Sequence, residues 1–185
     1  MKTLTEPLSP HDHVLGDPLA PVNLVEYGDF ECPFCGRARR EVDEALRRVG
    51  ADVCFAFRHF PIARLHPHAL FAAQAAEAAG MQDRFWEMHA TLFDHQDALE
   101  PGDLLAYARS IGLDIHRFAE ELRSGVHLPR IEHDIETGIE SGVNGTPAFF
   151  LNGRRHERGW DADTLTEALR AALGRKRSFL GRIAP

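Results

Sequence analysis

An α/β domain interrupted by a block of helices is the fold the sequence predicts, and three observations predict it. Two apolar, aromatic-rich runs at 22–30 and 52–60 flank a stretch of helical periodicity, the pattern of a β-α-β unit. From 66 to 141 only successive helical stripes occur. Extended character returns at 147–157 around Asn152-Gly153, a two-residue hairpin signal, and a last helix follows.

Residues 1–13 are polar, contain Pro7 and Pro10, and read as a loose tail. In VNLVEYGDF, Val22, Leu24, Val25 and Tyr27 make a buried strand. Pro33 stands just inside a helix start, where a missing N–H costs nothing. Val42, Ala45, Leu46 and Val49 share one face of that helix, and Gly50 stops it. DVCFAFRHF is the second strand, so the two strands run parallel with a right-handed crossover. In the helical block, Pro67 opens an Ala-rich helix that Gly80 closes. Phe85, Trp86, His89, Leu92 and Phe93 mark a second helix, and Leu104, Leu105, Ala108 and Ile111 a third. Asp114 caps a fourth, and Pro129 opens a fifth with Leu128, Ile131, Ile135 and Ile139. A hairpin is not stable alone, so 147–157 joins the sheet of the first two strands. DADTLTEALRAAL, capped by Asp161 or Asp163, is the last helix, and 175–185 reads as a frayed tail. The expected parts are 14–62 and 142–174, two halves of one domain, and 63–141, the insertion between them.

A chain of 185 residues can bury a core without staples, and 44% hydrophobic with 26% charged residues suits a soluble globular protein. A formal net charge of -7 gains nothing near phosphates, so nucleic acid is not an expected partner. No apolar run approaches the roughly 18 to 20 residues of a membrane span. MKTLTEPLSPHDHV lacks the apolar region of a secretory signal, and the expected location is cytoplasmic. Stable disulfides are uncommon there, and three cysteines cannot all pair internally.

The chemistry concentrates in GDFECPFCGRARREV, where Cys32 and Cys35 follow a strand and begin a helix. A helix N-terminus presents unpaired N–H groups and the positive end of the macrodipole, and both favour a thiolate. Cys32 is placed to attack, and Cys35, one turn further in, to resolve a mixed disulfide. A zinc site needs four ligands, and Cys54 has no paired cysteine or histidine. The motifs at 66–68 and 11–13 offer only histidines at a helix start and in a tail. A purely structural bridge across so short a span removes little chain entropy. No metal and no bound cofactor are expected.

Strand-CxxC-helix within a β-α-β unit resembles the thioredoxin fold, and the helical insertion ahead of GTPAFF resembles its DsbA-like branch. DHVLGDPLAPVNLVEYGDFECPFCG looks like the opening of that branch, and GVNGTPAFFLNG like the segment carrying its cis-proline. The resemblance covers about 13 to 173. It implies that Cys32 is the nucleophile, Cys35 the resolving cysteine, Pro147 the cis-proline and Thr146 the residue before it. It also implies that Glu26 is the acid behind the pair, accepting or relaying the Cys35 proton. From its neighbours alone Glu26 faces either the core or solvent, because Val25 and Tyr27 leave its side open. Phe34 stands where strongly oxidising DsbA proteins carry His, so it cannot donate to the thiolate. Glu31 adds a like charge beside Cys32, and Arg37 works the other way. A thiol of only moderate acidity is therefore expected, and Phe34, Thr146 and Pro147 form the expected substrate-facing set.

Other residues have plainer readings. Cys54 is a small buried hydrophobe, and Phe85, Trp86 and Phe93 are core of the helical block. His89 sits at the edge of that core, while one of His59, His66 and His68 can tune the thiolate. The functional expectation is thiol–disulfide exchange through a mixed disulfide on Cys32. The alternatives are a non-catalytic peptide-binding module of the same fold and a structural zinc protein. The expected partners are protein or small-molecule thiols and disulfides, with a recycling partner that the sequence does not name.

Overall fold

A computed structural model describes residues 2–180, with side chains up to residue 176. In chain order the elements are β1 (His13–Leu15), β2 (Val22–Gly28), α1 (Pro33–Val49), β3 (Val53–His59), α2 (Ala69–Gly80) and α3 (Phe85–Asp94). Then come α4 (Pro101–Ser110), α5 (Ile115–Ser124), α6 (Leu128–Glu140), β4 (Ala148–Leu151), β5 (Arg154–Arg155) and α7 (Ala162–Leu180). The five strands form one sheet in the order β1-β3-β2-β4-β5. β2 and β3 are parallel, in register from Val22 opposite Val53 to Gly28 opposite His59. β4 runs antiparallel to β2, so the hairpin does complete the sheet begun by the β-α-β unit. Its turn residues Asn152 and Gly153 have φ of 48° and 74°, the paired positive values that an Asn-Gly hairpin supplies.

Both faces of the central strands are covered, which explains why β3 is buried at every position. On one side Val22, Leu24, Phe55, Phe57 and Phe149 pack with Val42 of α1, Phe85, Met88 and Leu92 of α3, and Leu165 and Leu169 of α7. On the other, Val25, Tyr27, Ala56 and Phe150 pack with Val143, Phe60, Leu4 and Leu8. Side chains alternate along a strand, so Glu26 shares the face of Val22 and Leu24, toward α1. That alternation settles what its two apolar neighbours left open.

The insertion is built around α2, whose Ala72, Ala73, Ala75, Ala76, Ala78 and Ala79 are all buried. Small side chains let α3, α4, α5 and α6 approach it from all round. α2 begins at Ala69 and not at Pro67, since residues 67 and 68 form a turn ahead of it. α5 is capped as expected, with Asp114 accepting from Arg117 N–H at 3.1 Å, and Gly125 ends it at φ 65°.

Two segments differ from their expectation as tails. The N-terminal one is tied down: Thr3 bridges to Arg154, and Leu4 N–H donates to the Gly153 carbonyl at 2.9 Å. The buried Arg58 guanidinium donates to the carbonyls of Glu6 and Pro7 and to Asp12 at 2.6 Å. These partners lie far away in sequence, so a polar stretch with two prolines gives no local sign of them. β1, which the sequence reading passed over, adds an antiparallel edge with Val14 opposite Ala56. At the other end α7 continues to Leu180, past the expected boundary at 174, and residues 181–185 lie outside the described residues.

Candidate active site

Cys32 is the N-cap of α1, with φ −74° and ψ 119°, and Pro33 occupies the first turn. Extended backbone at the cap followed by a proline that fixes φ sets the sulfur at the open end of the helix. Cys35 lies one turn inside and is fully buried, while Cys32 keeps 4% of its surface. All three cysteines are free thiols in this state.

The two sulfurs have opposite acidities. The hydrogen bond from the Cys35 thiol is the largest influence on Cys32 and lowers its pKa from 9.0 to about 5 against the effect of burial. Thr146 and the N–H groups of Phe34 and Cys35 add to that stabilisation. Burial, the bond to Cys32 and the charge of Glu26 raise Cys35 far above an ordinary thiol. One sulfur is thus a thiolate near neutral pH, and the other holds the proton that stabilises it. The Cys32 value lies below an ordinary thiol and short of the most acidic CxxC cysteines, at about 3.5, in line with a thiol of moderate acidity. The Glu31 carboxylate is engaged by His68, which donates from its backbone N–H at 2.6 Å and pairs through Nδ1 at 2.8 Å.

Thr146 and Pro147, distant in sequence, meet Cys32 in space. Their peptide bond is cis. The Thr146 carbonyl lies 3.6 Å from Cys32 Sγ, and its buried hydroxyl has no hydrogen-bond partner of ordinary geometry. Phe34 is exposed, with the Arg37 guanidinium 4.7 Å above its ring. Glu26 is 2% exposed, and burial, with the charges of Cys32 and Asp43, raises its pKa from 4.5 to about 8.

Two supporting residues escaped the sequence reading, and a third was read only as the edge of the helical core. Asp29 accepts from the N–H groups of Glu31 at 2.9 Å and Ile62 at 2.8 Å, and from His66 Nδ1 at 2.7 Å. It ties the loop before the cysteines to the one after β3. Gln96, in the loop after α3, donates to the carbonyls of Phe30 at 2.7 Å and Cys32 at 2.9 Å. Gly36 makes room for it, because a Cβ there would stand 2.0 Å from Gln96 Oε1. The third is His89, buried beside Glu26. No motif announces any of the three; only an acidic residue in the turn before a CxxC is a usable signal. His59 pairs with Glu77 at 2.8 Å, and Cys54 is buried in β3. Among the described residues no group of three or more His, Cys, Asp or Glu is placed to hold a metal ion.

The family model described as Thioredoxin matches residues 8–171. The chain belongs to the thioredoxin family. Its fold is the DsbA-like form: BdbD from Bacillus subtilis superposes with a TM-score of 0.82 at 25% identity, covering 94% of this chain and 98% of that one. A thioredoxin-like oxidoreductase from Silicibacter pomeroyi gives a TM-score of 0.78 at 28% identity, covering 92% and 94%. In sequence, the Na(+)/H(+) antiporter NhaA 1 of Mycolicibacterium gilvum is 48% identical over 174 residues, 92% of this chain. The chain spans about 28% of the length of that curated relative. Among the described residues no helix is long and apolar enough to cross a membrane.

Proposed function

We propose that this member of the thioredoxin family is a thiol–disulfide oxidoreductase working through Cys32 and Cys35. The observation that carries the proposal is the division of acidity between the two sulfurs, Cys32 near 5 and Cys35 driven up in the buried helix turn. The Cys32 thiolate attacks a substrate disulfide, one substrate sulfur leaves as a thiolate, and a mixed disulfide forms on Cys32. Cys35 passes its proton to Glu26 and attacks the Cys32 sulfur. The bond between Cys32 and the substrate breaks, and the second substrate sulfur departs with the electron pair. The protein is left oxidised and the substrate reduced; the reverse sequence oxidises a substrate dithiol. An extended substrate lies against Thr146, Pro147 and the exposed Phe34 ring, which brings its sulfur to Cys32. The substrates are protein or small-molecule thiols and disulfides, and a second redox protein returns the pair to its starting state. Ion transport belongs to the antiporters named above and is no step of this proposal.

Insulin reduction by dithiothreitol, followed as turbidity, tests the reading. Wild-type protein accelerates it, Cys32→Ser abolishes the acceleration, and Cys35→Ser accumulates mixed disulfides detectable by mass. Full activity in Cys32→Ser refutes the assignment, and a wild-type protein that binds peptides without accelerating the reaction is a binding module.

A further inference from the structure

A cavity of about 110 Å³ opens beside Glu26, and its walls include Arg39, Asp43, Trp86, His89 and Ala90 but no cysteine. Glu26 and His89 each bring a buried polar atom without a protein hydrogen-bond partner, Oε1 and Nε2. The space suffices for about three waters at roughly 30 Å³ each. Arg39 and Asp43 stand 3.6 Å apart at the solvent side, with side chains 20% and 51% exposed. His89 is caged by Phe57 at 4.8 Å, Phe93 at 4.9 Å, Trp86 at 5.0 Å and Phe30 at 5.6 Å. An apolar side chain would fill that cage without leaving a nitrogen unpartnered, which is a cost.

We propose that His89 and this cavity carry the proton that Glu26 takes from Cys35 out to solvent at the Arg39–Asp43 rim. The inference rests on the oxidoreductase reading above and adds the exit route to it. Each time Cys35 attacks the Cys32 sulfur, the Glu26 carboxylate gains one proton and the departing substrate sulfur takes the electron pair. With a pKa of about 8, Glu26 already holds a proton in the reduced protein at neutral pH and must lose it before it can take that of Cys35, yet at 2% exposure it has almost no direct solvent contact. A neutral imidazole holds one N–H and one lone pair, so it takes a proton on one nitrogen and gives one from the other.

The surroundings keep His89 in that neutral form. Burial holds its pKa well below the ordinary value, and the charges of Arg39, His59 and His13 act in the same direction. Glu26 faces the site from β2 and Arg39 and Asp43 from α1, and Asp94 of α3 pairs with Arg39 at 2.5 Å. Glu77 of α2 holds both His13 and His59, at 2.9 and 2.8 Å. In the direction that reduces the pair, the same path runs inward.

The test is stopped-flow tryptophan fluorescence of reduced protein mixed with glutathione disulfide, in H₂O and D₂O. Wild type shows attack by Cys32 followed by resolution by Cys35. In His89→Gln the resolution phase slows at least about tenfold, below the hundredfold of a group touching the reacting atom, and its solvent isotope effect grows. The attack phase and the Cys32 pKa stay as in wild type, which a merely structural role of His89 would not leave intact. Ala90→Leu fills the cavity from its wall and slows the same phase. Resolution at the wild-type rate in either variant overturns the route; should His89→Gln fail to fold, Ala90→Leu decides alone. A wild-type protein with no attack phase sinks the oxidoreductase reading instead.

Discussion

Glu26 and Cys32 titrate in opposite senses, and their signs make a test at the scale of single residues. Glu26 is raised from 4.5 to about 8, so its contribution to stability is fully present below 4.5 and is lost as pH rises to about 8. Cys32 is lowered from 9.0 to about 5, so its contribution is fully present above 9.0 and is lost as pH falls to about 5. In the reduced wild type the two slopes oppose each other. Cys32→Ser removes one, and the melting temperature of that reduced variant then falls as pH rises from about 4.5 toward 8. Adding Glu26→Gln flattens the curve over that window; a slope that survives would assign the titration to another group. Thr146 supplies a second test. Its buried hydroxyl favours the Cys32 thiolate, so Thr146→Val raises the Cys32 pKa above about 5, read from the thiolate absorbance against pH. Because it destabilises the reduced form, the same variant is also a weaker oxidant.

Between elements, the cysteine turn is held by residues from the insertion. Gln96 reaches from the end of α3 to the carbonyls of Phe30 and Cys32, and Gly36 on α1 leaves the space it needs. The two positions therefore act as one unit. Gln96→Ala and Gly36→Ala each cost about 1 kcal/mol in urea unfolding, the first by deleting the bonds and the second by displacing the amide. The double variant costs no more than either alone, and additive losses would show that Gly36 serves α1 for some other reason. Asp29 and Glu31 make the matching ties to His66 and His68 ahead of α2. The insertion thus buttresses both sides of the turn that carries Cys32.

For the molecule as a whole, the N-terminal segment is an integral strap across the sheet. Arg58 and Asp12 form a bidentate pair at 2.6 and 3.0 Å, with side chains 4% and 3% exposed. Burial pushes the Asp12 pKa up, but Arg58 outweighs it and the net shift is downward from 3.8. The pair therefore contributes stability above that value, lost as pH falls through the lowered pKa. Asp12→Ala leaves a buried guanidinium without its carboxylate and costs about 3 to 5 kcal/mol in chemical unfolding at neutral pH. A loss below about 0.5 kcal/mol, the range of ordinary surface changes, would mean that the strap is dispensable.

Local chemistry settled much of this protein in advance. Pro33 after Cys32 marked the helix start, Asn152-Gly153 the hairpin, and the periods of 22–60 the parallel pair, since each depends on residues near in sequence. The strand-to-helix position of the CxxC brought out Cys32 and Cys35, while Glu26, Thr146 and Pro147 came from the resemblance to the DsbA-like family. Tertiary structure decided which face of β2 Glu26 occupies, because a central strand covered on both sides has no polar side to read. It also decided how acidic Cys32 is, because the Cys35 thiol and Thr146 act through space while the neighbouring Glu31 is claimed by His68. Gln96 and the Arg58–Asp12 strap belong to the same class: their partners lie 64 and 46 residues away, a separation that no local pattern encodes.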